Sequence, residues 1–94
     1  MADTRVHAEV FHPSVFIHEE LEARGWTLDD LALRMGGDFG LQRFALDFYM
    51  TVHDKHLLLG ADGERDLARA FGTSPEFWHN LEAAWRAQQP NEKP

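Results

Sequence analysis

The sequence predicts an all-α bundle of four or five short helices. Apolar residues recur at i, i+3, i+4 and i+7 in several windows, and no useful stretch alternates as a half-buried strand would. Helix-starting residues and helix-stopping glycines divide the chain at short intervals. The 94 residues are 44 % apolar and 27 % charged, ordinary globular usage with enough material for one modest core.

The elements follow in order. Met1 to Phe11 has no clear period and is expected to form a loose arm, residues 1–11. Pro13 suits a first helical turn, Phe16, Ile17 and Leu21 share a face, and Gly25 stops the helix. Thr27 is the N-cap of a second helix with Asp30 at its third position, a relative of the capping box. Leu28, Leu31, Ala32 and Met35 complete an amphipathic stripe before Gly36-Gly37. Asp38 can cap a third helix reaching about residue 50, where Leu41, Phe44, Ala45 and Phe48 repeat the same spacing. Phe39, Leu46, Tyr49 and Met50 add apolar surface elsewhere on it, the pattern of a helix central to the core or covered by a partner. Residues 52–63 are the hardest to read, with a Leu57–Leu59 run and a turn-like Gly60-Ala61-Asp62-Gly63. Leu67, Ala68 and Phe71 mark a fourth helix ended by Gly72. The last helix starts at Ser74 with Pro75 and Glu76 behind it, and Phe77, Trp78, Leu81, Ala84 and Trp85 form its apolar face. Residues 12–87 thus form the helical domain and 88–94 a frayed tail.

Composition narrows the chemistry. There is no cysteine, hence no disulfide, thiolate metal site or cysteine nucleophile. No apolar run is long enough to span a bilayer and no secretory leader opens the chain, so a cytoplasmic protein is expected. Ser14 and Ser74 stand in helix-start contexts, and adjacent carboxylates such as Asp29-Asp30 do not face each other on a helix. No phosphate-binding glycine loop is present. The expectation is no enzyme and no cofactor. His53 and His56, three apart, would share a helical face, with His7, His12 and His18 elsewhere, but spacing brings together only two ligands and no metal is expected.

Two segments resemble a known family. One is His12-Pro13 followed by Glu19-Glu20-Leu21-Glu22-Ala23-Arg24-Gly25-Trp26-Thr27 and Leu31-Ala32-Leu33-Arg34-Met35-Gly36. The other is Leu67-Ala68-Arg69-Ala70-Phe71-Gly72-Thr73-Ser74-Pro75-Glu76-Phe77-Trp78, continuing to Trp85. Together they cover about half of the chain and resemble the helix-turn-helix antitoxins of the HigA and virulence-associated protein I group, within the lambda-repressor-like (Xre-type) superfamily. The resemblance implies a five-helix bundle whose second and third helices form the helix-turn-helix. It further implies a homodimer that binds an operator through the third helix and neutralises a RelE-like toxin.

The third helix departs from that family's polar reading helix. Its side chains able to make bidentate base contacts reduce to Gln42 and Arg43, with Lys55 as a nearby cation, and these three are the candidate DNA-binding residues. Phe39, Leu46, Tyr49 and Met50 are the candidate dimer or partner interface. Nine Lys and Arg stand against sixteen Asp and Glu, a net charge of −7. From Thr27 to Val52, Asp29, Asp30, Asp38 and Asp47 outweigh Arg34 and Arg43, leaving −2 where a phosphate backbone would attract positive charge. Two functions are therefore expected from this sequence. One is a HigA-like DNA-binding regulator or antitoxin. The other is a protein-interaction module on the same bundle that has lost DNA binding and works through its acidic surface and apolar third helix.

Overall fold

Five helices run in succession through residues 10–89, the part of the chain that this computed structural model describes. They are α1 (Pro13–Arg24), α2 (Leu28–Met35), α3 (Phe39–Thr51), α4 (Gly60–Phe71) and α5 (Pro75–Ala87), with no strand among the described residues. Of the expected arm only Val10 and Phe11 are described, and of the tail only Gln88 and Gln89; the rest lie outside the described residues.

Local chemistry sets most boundaries. Thr27 and Asp30 form a full reciprocal capping box, the Thr27 hydroxyl accepting from the Asp30 N–H and the Asp30 carboxylate accepting from the Thr27 N–H. Asp38 and Ser74 accept from the N–H groups of Leu41 and Phe77 at the starts of α3 and α5. Gly25 and Gly72 close α1 and α4 in the left-handed region at φ 69° and 77°, where a side chain would be strained.

Packing then assembles the bundle. Helix α2 lies against α3 and α4, α4 against α5, and α5 against α1. Ile17, Leu31, Leu67 and Trp78 are sealed from solvent at the centre, with Leu21, Met35, Leu46, Tyr49 and Phe71 around them. Trp78 stacks obliquely on Phe71 and meets Phe77 edge to face, while its indole N–H donates to the Thr73 hydroxyl at 2.7 Å. Arg24 and Arg34 lie over the Trp26 ring, and Arg24 also donates to the carbonyl of Phe71 at the end of α4.

Two expectations are corrected. Gly60-Ala61-Asp62-Gly63 is no turn; it is the first turn of α4. This start has no side-chain cap of its own. The Leu59 N–H instead donates at 2.9 Å to the carboxylate of Glu82, which reaches across from α5. A carboxylate near a helix N-terminus is favoured by the exposed N–H groups and the dipole. The shared helical face expected of His53 and His56 also fails, because residues 52–59 are not helical. An Asp54-centred turn shapes them instead, its carboxylate accepting from the His56 N–H and its carbonyl from the Leu57 N–H.

Candidate interaction face

The third helix is oriented opposite to its strongest hydropathy stripe. Leu46 and Tyr49 point into the core, whereas Leu41 and Phe44 are 70 % and 71 % exposed and Phe48 is 49 % exposed. The inward face runs through positions 42, 46 and 49, and the first of these is polar. Gln42 binds to the bundle through hydrogen bonds to Gly36 and Asp66, so hydropathy does not register it. Of the four residues expected at an interface, Leu46 and Tyr49 are thus corrected to core positions. Met50 is half-buried against that core, and Phe39 remains exposed.

The expected base-reading residues are each engaged within the chain. The Gln42 amide donates at 2.9 Å to the Gly36 carbonyl, at the end of α2, and at 2.9 Å to Asp66 on α4. Arg69 also meets Asp66 and donates to the Met35 carbonyl, so α3 and α4 together satisfy the last carbonyls of α2. Arg43 is held between Asp29 of α2 at 2.6 Å and Asp47 of its own helix. Lys55 is half-buried in the loop after α3 and has a partner within the chain. Gln42 and Arg43 are therefore already committed to groups on α2, α3 and α4.

What α3 presents is an apolar ridge. The Phe44 and Phe48 rings lie nearly parallel, 4° apart in plane and 6.4 Å between centroids. Beside them a groove of about 260 Å³ opens between α3 and the Leu57–Leu59 segment, with Met35, Leu46 and Leu67 among its lining residues. Leu57 and Leu59 are half-buried against the core and Leu58 is exposed, so the leucine run forms the groove's far wall.

A second cluster binds the ends of α1, α3 and α5 together. His12 caps α1, its Nδ1 accepting from the Ser14 N–H, which places its ring proton on Nε2. Its ring stacks on His53 at 4.0 Å and meets Trp85 edge on at 4.7 Å. Burial, with a smaller contribution from His53, lowers the His12 pKa from 6.5 to about 4. Tyr49 donates to Glu82 at 2.6 Å, and burial followed by this carboxylate pushes its pKa well above the ordinary phenol value. His53 Nε2 lies 3.0 Å from the Ser14 hydroxyl, but Ser14 is 2 % exposed and offers no approach to a substrate.

Glu82 was not legible as a key residue, yet its spacing carried a signal. It follows Trp78 by four residues and precedes Trp85 by three, which puts it on the buried face of α5. Among the described residues no three His, Asp or Glu side chains gather as a metal site, and no helix is long and apolar enough to cross a membrane. Comparison of the chain with protein-family models, curated proteins and solved structures finds no match.

Proposed function

We propose that this chain is a protein-interaction module that docks a partner on the Phe44–Phe48 face of α3. The observation that carries this reading is the exposure of that aromatic ridge on the helix where a DNA reader would present polar side chains. Aromatic residues are enriched in interface cores, and an exposed patch of this kind marks a contact surface. The local surplus of acids over bases and the net charge of −7 favour a protein surface over a phosphate backbone.

A second reading is the lambda-repressor-like regulator or antitoxin, a homodimer with an operator and a RelE-like toxin as partners. It is supported by the three-residue Gly36-Gly37-Asp38 joint between α2 and α3 and by the packing of these helices against each other. The two readings part in a titration with the DNA upstream of the chain's own coding region, at low and at physiological salt. The interaction module is expected to show no sequence-selective complex at either salt. A tight, salt-sensitive, selective complex abolished by Arg43→Ala would establish the regulator instead.

A further inference from the structure

We infer that the occupant of the groove beside the Phe44–Phe48 ridge is a basic amphipathic helix of a protein partner. This rests on the interaction-module reading and names the chemistry of what docks there. The groove, at about 260 Å³, is smaller than the ~300–1,000 Å³ typical of sites for drug-sized molecules. Its lining is apolar except for Gln42 and Tyr49, whose amide and hydroxyl are already committed, the one to Gly36 and Asp66 and the other to Glu82. A small ligand would find little to orient it, whereas one or two apolar side chains fill such a space. Phe44 and Phe48, one helical turn apart, form an i, i+4 ridge, and a ridge beside a groove is what a second helix packs against.

Charge selects among helices. Asp47 borders the shallow depression formed by Phe44, Phe48 and Thr51, and Asp54, together with His56, borders the one formed by Phe48, Val52 and Leu57. The cation of this helix, Arg43, is bracketed by Asp29 and Asp47, so that trio leaves one negative charge. Lys55 and the imidazoles of His53 and His56 are the remaining basic groups of the adjoining loop. A second copy of the chain would bring the same acidic borders and another net −7 against the first. Lysines or arginines flanking an apolar stripe meet complementary potential and are steered toward it.

The test is a selection from a phage-displayed library of helical peptides with unbiased charge, against the full chain and with Phe44→Asp as counter-target. Phe44 is largely exposed, so Phe44→Asp, and Phe44→Ser as a milder variant, leave the far-ultraviolet circular dichroism unchanged. The expected winners carry net positive charge and apolar residues at i, i+3 or i+4, and i+7. Their Kd rises about tenfold or more with Phe44→Asp, rises severalfold between low and high salt, and is unmoved by Leu33→Asp on α2, away from the groove. Phe44-dependent winners that are neutral or acidic overturn the inference and leave the interaction face standing. The same holds if sedimentation velocity shows a dimer that Phe44→Asp splits, since the occupant is then a second copy. A monomer with no Phe44-dependent winner overturns both.

Discussion

His12 caps α1 through Nδ1, a role that requires the neutral imidazole, while its ring packs against His53, Tyr49 and Trp85. Between pH 6.5 and about 4 the folded chain binds fewer protons at this ring than the unfolded chain does. Its contribution to stability is therefore complete above pH 6.5 and is lost as the pH falls toward 4. The expected loss between pH 7 and pH 5 is on the order of 2 kcal/mol, visible as a falling urea midpoint. His12→Asn keeps a capping side chain without a titrating ring, and its stability is expected to vary much less over that window. Tyr49 poses the complementary case, because its hydroxyl is one of two donors on a buried carboxylate. Tyr49→Phe is expected to cost about 1.5–3 kcal/mol in urea unfolding, the value of a hydrogen bond to a charged group.

Helix α3 separates two neighbouring side chains by role. Gln42 clasps the end of α2 to α4, whereas Arg43 makes two ion pairs with largely exposed carboxylates. Gln42→Ala is expected to destabilise the fold by about 1–2 kcal/mol and Arg43→Ala by less than about 1 kcal/mol, measured by urea unfolding. The reverse order would mean that Gln42 is not a clasp. The starts of α2, α3 and α5 were legible because each depends on one capping side chain next to the helix it begins. The start of α4 was not, because its partner, Glu82, comes from another helix twenty-three positions away. The orientation of α3 was misread for a related reason. Its outward stripe of Leu41, Phe44 and Phe48 is more apolar than its inward one, and Gln42 faces inward through polar contacts that only the assembled bundle provides. The apolar excess on this helix was visible in the sequence; which side of it meets solvent was not.

Across the whole molecule, Glu82 links the first turn of α4, the end of α3 and the buried face of α5. Glu82→Ala would leave the Tyr49 hydroxyl and the Leu59 N–H without their acceptor and open space beneath them. A loss of about 2–4 kcal/mol is expected from calorimetry or urea unfolding. The same link bears on the order in which the chain folds. Helix α4 begins with Gly60 at φ 75° and Gly63 in its first turn, residues that form helix poorly. Its first turn is therefore expected to be completed only when α5 has brought a carboxylate to it. Hydrogen exchange under native conditions should show the amides of residues 59–63 opening together with α5, as one cooperative unit, and not with the remainder of α4. The α4–α5 hairpin is then expected to assemble from its C-terminal side backwards, so that in a chain still emerging from the ribosome α4 would stay incomplete until α5 is free.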